Sequence, residues 1–360
     1  MFGNSLIASD HIIDVFRERF VERFGNGGRG FVLVDRMAPY GPRTRTGIAK
    51  STQWNAHNFS MGDRGSHPFG VSGVVHVSNT RGARTLWRLS GERRARIYAH
   101  DDAGSPPLQI TLDGQLTTTF HPTRKGNLAT IDVDIPPEAS QLVLEAEGAG
   151  AAVYGALLEG EGPGVSINTY GVPAAGAAHF LAAEGPFFAD QLRAQDPALV
   201  VVMLGGNETK RLHWKKRSRD EVEQSFVALL ALLQRTVPRA ACLAVSPIDA
   251  VHGGQEKSWQ PRAQLSWVID MQRRVAAAAG CAYFDLYRAM GGEGSLKRFH
   301  DAGFLHDDMV HPKSGGLDIL GELMADALLR AYEGTPRVDP TVVNAGTLAV
   351  EPPSGATSDG

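Results

Sequence analysis

The sequence is short of cysteine, of long apolar runs and of excess charge, and each shortage removes a class of protein. Two cysteines, Cys242 and Cys281, in 360 residues cannot build a disulfide framework or a four-cysteine zinc site. Buried free thiols are the expectation for both. No apolar run approaches the ~20 residues of a membrane-spanning helix, so no integral membrane segment is expected. Basic residues number 36 against 39 acidic, a net charge of −3, so no global basic field points to nucleic acid. Residues Met1 to Phe20 contain no signal-peptide apolar region. What remains, 42% hydrophobic and 21% charged, is ordinary globular usage. The length predicts about two domains at ~150 residues each.

The chain changes rhythm twice. Residues 9–24 place Ile12, Phe16, Phe20 and Phe24 on one helical stripe, with Ser9 or Asp10 as the cap. The turn 25–30 and the apolar run 31–34 follow, which reads helix, turn, strand. From 72 to 159 short β-prone stretches recur: 73–77, 94–100, 108–112, 116–120, 129–135, 141–146 and 151–159. Asp113-Gly114 marks a hairpin between two of them. The spacing predicts an inserted all-β sandwich. After Gly162, helices (184–195, 221–235, 263–279, 314–333) alternate with strands (199–204, 241–246, 282–286). Alternation of this kind predicts a parallel sheet with helices on both faces, and a site at the carboxyl ends of its strands. The predicted domains are 1–71 with 160–334, the insertion 72–159, and a disordered tail 335–360 rich in Gly, Pro, Ser and Thr.

Three short motifs carry chemistry. Gly3-Asn4-Ser5 precedes a helix, where helix-terminal N–H groups stabilise negative charge beside a serine hydroxyl. Taken alone, a serine there also reads as a cap. Gly205-Gly206-Asn207-Glu208 follows the buried strand 199–204, and the Asn207 amide is a neutral donor suited to an oxyanion. An Asn in a left-handed turn is the competing reading. Asp308 lies three residues before His311 on a loop, the spacing at which a carboxylate fixes the imidazole tautomer and leaves Nε2 as a base. Surface charges, or a metal cluster with His306 and Asp307, are the alternatives there. Gly25, Gly27 and Gly30 match a dinucleotide fingerprint but follow a helix and precede a strand, the reverse of what that loop requires.

The order of the three motifs resembles the SGNH (GDSL-type) serine hydrolase family. Residues 3–5 resemble its first block, 205–207 its third, and Asp308 with His311 its fifth. The stretch INTYGVPAAGA, 167–177, falls where the second block belongs. That block usually reads Gly-x-x-Gly, whereas here the glycines are Gly171 and Gly176, with Gly176 favoured as the donor. FGNGGRGFV (24–32), FGVSG (69–73), the β insertion and MGGEGS (290–295) resemble the bacterial polysaccharide O-acetylesterase branch. The resemblance implies a flavodoxin-like three-layer α/β fold carrying a carbohydrate-binding-like sandwich. It implies Ser5 as nucleophile, His311 as base, Asp308 as its orienting acid, and an oxyanion hole of Asn207, a block-two glycine N–H and the Ser5 N–H. The substrate implied is an acetylated polysaccharide, with no cofactor or metal, and the location the cell envelope or the exterior. A general small-ester esterase or lipase, and a decayed glycan-binding protein, are the other readings.

Two departures from the family stand out. Asn4 occupies the place of its usual Asp, which is not the triad acid. Only Met1 and Phe2 precede the first block, too few for the inner strand that should present the serine, so the natural start is expected upstream. The run 210–219 holds six Lys or Arg and Trp214, and reads as a solvated loop beside the site. In it Lys210, Arg211 and Trp214 are candidates for binding an anionic glycan. Asp249 is expected to rim the pocket as a loop cap.

Overall fold

The computed structural model describes residues 1–36, 48–60, 64–123, 126–252 and 257–334. The tail expected at 335–360 lies outside the described residues. In chain order, strand β1 (Phe2–Gly3) leads into helices α1 (Ser5–Ala8) and α2 (His11–Phe24) and strands β2 (Gly30–Val32), β3 (Ile48–Thr52) and β4 (Trp54–Asn58). A stretch of strands follows: β5 (Val74–Ser78), β6 (Arg84–Arg88), β7 (Arg94–Asp101), β8 (Leu108–Leu112), β9 (Gln115–Phe120), β10 (Asn127–Asp134), β11 (Gln141–Ala146) and β12 (Ala152–Glu159). Strand β13 (Tyr170–Gly171) opens the alternating part: α3 (Ala177–Ala182), α4 (Pro186–Ala194), β14 (Leu199–Met203), α5 (Gly206–His213), α6 (Arg219–Thr236) and β15 (Ala241–Val245). It ends with β16 (Val251–His252), β17 (Ser258–Pro261), α7 (Leu265–Ala278), β18 (Ala282–Phe284), α8 (Leu286–Ala289), α9 (Ser295–Asp301) and α10 (Ser314–Gly334).

A parallel sheet of order β13-β1-β14-β15-β18 carries the alternating part. Its strands are buried on both faces, which is why 199–204 reads as one apolar run. Val200 and Val202 face a core shared with α3, α4, α6 and α7. Val201 and Met203 face the opposite core, shared with α1, α2, α9 and α10. The two-residue side-chain period of a strand thus feeds two helix layers.

The inner strand position holds the two residues of β1, which pair with only the last two residues of β14. Phe2 pairs with both Tyr170 and Val202, and Gly3 with both Gly171 and Met203. The ladder also uses Tyr170 N–H donating to the Met1 carbonyl and Val172 N–H donating to the Gly3 carbonyl. Phe2 anchors this short strand. Its buried ring packs on Tyr170, Phe180 and Phe188, and burying such a ring contributes ~1.5–3 kcal/mol.

The strands between β2 and β12 form two antiparallel sheets. One has order β10-β7-β12-β5-β4, with β2 also on β12, and the other β3-β6-β11-β8-β9. Ile97, Val133 and Val153 from the first meet Trp87, Ile110 and Leu144 from the second in one apolar core. The far side of the first sheet packs on the helices through Tyr98, Tyr154 and Leu157. The predicted boundary at 71/72 is therefore corrected. Strands β2, β3 and β4 pair within these sheets although they precede residue 72. The Asp113-Gly114 turn has both residues at positive φ, 46° and 82°, as a two-residue hairpin requires.

The helix expected over 9–24 runs from His11 to Phe24 with Asp10 at its N-cap, at φ 61° and without a side-chain capping bond. The buried Asp10 carboxylate instead pairs with Arg17 at 3.0 Å and accepts from Thr169 Oγ1. Cys242 and Cys281 are joined by a disulfide rather than free. Adjacent strands β15 and β18 bring their Cα atoms to 4.7 Å, within disulfide range, a pairing that sequence spacing alone does not reveal. Among the described residues, no helix is long and apolar enough to cross a membrane.

Candidate active site

The site lies at the carboxyl ends of the parallel strands. Strand β1 stops at Asn4, whose Oδ1 accepts the Leu6 N–H at 3.1 Å and caps α1. Ser5 is thus the first residue of a helix packed tightly on its own strand. A Cβ on Gly3 would stand 2.2 Å from Ile7 Cγ1, so only glycine lets α1 turn back there. Asparagine and aspartate cap alike through one oxygen, which accounts for Asn4 serving in this position.

The histidine comes from the loop after α9. Asp308 Oδ1 accepts the N–H groups of Val310 and His311 at 2.9 and 3.0 Å, and folds the loop around its own carboxylate. Its Oδ2 lies 2.6 Å from His311 Nδ1. With Nδ1–H donating to Asp308, Nε2 is the acceptor and stands 3.0 Å from Ser5 Oγ. Partial burial pushes the Asp308 carboxyl up, but the His311 ring and the two backbone donors outweigh it and hold the group below its ordinary value.

Strand β14 delivers the asparagine. The turn at Gly205, with φ 117°, starts α5, and Asn207 is its second residue. Asn207 Nδ2 donates to the Ala175 carbonyl at 2.8 Å, which uses one of its two amide hydrogens. Asn4, Ser5, Asn207, Lys210, Asp249, Arg262 and His311 line one cleft open to solvent, with Leu6, Ile248, Leu296, Met309 and Val310 as its apolar wall.

Other predicted residues fall differently. Gly171 sits inside the sheet, where a Cβ would lie 2.1 Å from Ala8 N, and it does not line the cleft. Gly176 does not line it either. It begins α3, and a Cβ there would stand 2.3 Å from Glu208 Oε1. The second glycine of the expected Gly-x-x-Gly falls on Ala174, which adopts φ 60°, a conformation a side chain disfavours by roughly 1–2 kcal/mol. Arg211 turns away and donates to the Ala174 carbonyl at 2.7 Å. Trp214 is exposed outside the cleft under the Lys216 ammonium. The basic run begins as helix α5 and not as a loop. Asp249 does line the cleft and is a cap, accepting from Ala250 N and Leu296 N.

Two residues of the site escaped the sequence reading. Glu208 is buried, with Oε2 accepting from Gly205 N at 3.0 Å and Oε1 from Ala177 N at 2.9 Å. It ties the turn before Asn207 to the start of α3. The signal was a capping box whose cap is Gly205 instead of Ser or Thr. Arg262 is buried and reaches Gly206 O, Thr209 Oγ1 and Val251 O, bracing the first turn of α5 against the β16–β17 hairpin. Among the described residues, no group of three His, Cys, Asp or Glu is placed to hold a metal ion.

Ser5, His311 and Asp308 thus stand in one hydrogen-bonded row at the carboxyl ends of a parallel sheet. Residues 138–319 match the GDSL-like lipase/acylhydrolase family, and the chain belongs to that family of ester hydrolases. Its fold is similar to the solved structure of a peptidoglycan O-acetylesterase, with a TM-score of 0.78 and 18% identity over 93% of this chain and 91% of that one. It is also similar, at a TM-score of 0.35 and 14% identity, to a family two carbohydrate esterase from Clostridium thermocellum in complex with cellohexaose. That match covers 80% of this chain and 99% of the other, and is too slight to bear on function. No curated protein matches the chain by sequence.

Proposed function

We propose that the protein is a serine esterase that removes O-acetyl groups from a polysaccharide through an acyl-enzyme. The observation that carries this is the row Ser5 Oγ, His311 Nε2, His311 Nδ1, Asp308 Oδ2, with steps of 3.0 and 2.6 Å, opening into the cleft that Asn207 lines. Ser5 Oγ attacks the acetyl carbonyl carbon and passes its proton to His311 Nε2, while Asp308 holds the imidazole and stabilises its charged form. The carbonyl oxygen becomes an oxyanion. The Ser5 N–H at the start of α1 and the second amide hydrogen of Asn207 are its donors, each supplying about 3 kcal/mol of barrier reduction. His311 then protonates the departing sugar oxygen as its bond to the acetyl carbon breaks. Water, deprotonated by the same nitrogen, attacks the acetyl-serine, and His311 returns that proton to Ser5 Oγ as acetate leaves. A cleft of modest size with an apolar wall accommodates a small acyl group.

The two antiparallel sheets are proposed as an inserted sandwich, now including strands from before residue 72, that presents a glycan to this site. Measured acetate release from acetylated glycan oligosaccharides, compared with p-nitrophenyl acetate, tests the substrate. Release from the glycan with a higher kcat/KM than the small ester is the expected result. Turnover of small esters alone would reduce the protein to a general esterase, and binding without any turnover would make it a glycan-binding protein.

A further inference from the structure

We infer that Lys210 selects substrates bearing a carboxylate close to the scissile ester, so that the preferred glycan is built from acidic sugar residues. This inference rests on the esterase reading above. Lys210 lies one turn after Asn207 on α5, the spacing that puts two side chains on the same helix face. Its side chain is half-buried and lines the cleft beside Ser5 and His311.

Every other charged group lining that cleft has work to do. Asp249 is closed by the N–H groups of Ala250 and Leu296. Arg262 spends its fork on Gly206 O, Thr209 Oγ1 and Val251 O. Asp308, beyond the cleft wall, is closed by His311 and Val310. The Lys210 ammonium, by contrast, has no hydrogen bond or ion pair among the described residues. Withdrawal from water and the Arg262 charge both disfavour its charge, and the smaller attraction of Asp308 favours it. A half-desolvated cation without a partner is costly, and an anionic ligand is the group that relieves it. Because Lys210 is a single point charge and no guanidinium fork is free in the cleft, the matching group is a monoanion. A sugar carboxylate fits, and a phosphate dianion does not.

The test compares wild type, Lys210→Met and Lys210→Arg on two O-acetylated oligosaccharides of equal length, one of uronic acids and one of neutral xylose. The readout is the ratio of kcat/KM on the acidic substrate to that on the neutral one. Wild type is expected to favour the acidic substrate. Lys210→Met should lower the ratio about 10- to 100-fold, mainly through KM, as loss of one charge-assisted hydrogen bond implies, and Lys210→Arg should restore most of it. A ratio that Lys210→Met leaves within twofold overturns the inference while the esterase reading stands. If wild type hydrolyses neither substrate, the esterase reading fails instead. Calorimetric binding of the deacetylated uronic-acid and xylose oligosaccharides to the same three proteins then decides: equal affinity for both overturns the inference, and acidic binding lost in Lys210→Met supports it.

Discussion

Replacing Glu208 tests whether the loops around Asn207 are held by one buried carboxylate. Its two oxygens accept the backbone N–H groups of Gly205 and Ala177 at 3.0 and 2.9 Å, and the residue is 5% exposed. Glu208→Ala leaves both donors buried without partners, each costing ~1–3 kcal/mol, from which the carboxylate's own desolvation must be subtracted. The expected net loss is about 2–4 kcal/mol. Glu208→Gln keeps one acceptor and turns an NH2 toward the other donor, so about half that loss is expected. Burial pushes the Glu208 carboxyl up, against the opposing pull of the Ala177 N–H, Arg211 and the Gly205 N–H. A raised carboxyl adds stability that is present below its unfolded value and lost as pH rises through the folded one. The gap between wild type and Glu208→Gln should therefore narrow as pH rises through that range. Because the clamp sits next to Asn207, kcat should fall at least about tenfold with KM nearly constant, the mark of an interaction used in the transition state. Urea unfolding at several pH values and acetate-release kinetics provide the readouts. A Glu208→Ala protein that unfolds within about 0.5 kcal/mol of wild type and turns over at its rate would refute the clamp.

Three other outcomes follow from the structure. Ala174→Gly relieves a left-handed alanine and should raise unfolding stability by ~0.5–1 kcal/mol, less than the full strain because glycine also loosens the unfolded chain; an unchanged or lower urea midpoint would contradict the assigned backbone. Reducing Cys242–Cys281, which closes a loop of 39 residues, should cost ~2–4 kcal/mol and shift the urea midpoint downward, whereas equal midpoints with and without reductant would count against the bond. Burial holds His76 down to about 4, so its neutral form adds stability above the unfolded value of ~6.5 that is lost as pH falls toward 4, about 3 kcal/mol in all. His179, lowered to about 4 by burial and by Arg211 and Arg64, acts in the same direction. A denaturation midpoint that stays flat between pH 6.5 and 4.5 would disprove this.

The parallel sheet was legible because its strands are buried on both faces, so 199–204 and 241–246 appear as unbroken apolar runs between helical stripes. Strands β3, β4 and β6 were not, because β3 and β4 follow each other with one residue between them yet join different sheets, and β6 alternates Thr85 and Trp87 inward with arginines at its ends. No periodicity exists in the two residues of β1, whose place is set by the neighbours it pairs with. Ser5, Asn207, Asp308 and His311 were singled out by the order of their motifs, which resembles a known family, since each motif alone also had a structural reading. Glu208 and Arg262 act on backbone groups distant in sequence, and Ala174 differs from its neighbours only in its dihedral angle. The disulfide depended on strand adjacency, which only the assembled sheet defines.

Ser5 is proposed as the nucleophile, activated by His311 and Asp308. A serine-directed fluorophosphonate reports this directly, since it labels only a hydroxyl made reactive by its surroundings. Peptide mass spectrometry of the labelled protein should find the adduct on Ser5 alone, and loss of esterase activity should keep pace with labelling. Ser5→Ala and His311→Ala should take up no label while keeping the wild-type unfolding midpoint within about 1 kcal/mol. Full hydrolytic activity in a folded Ser5→Ala protein, or an inactivating adduct on another residue, would contradict the account.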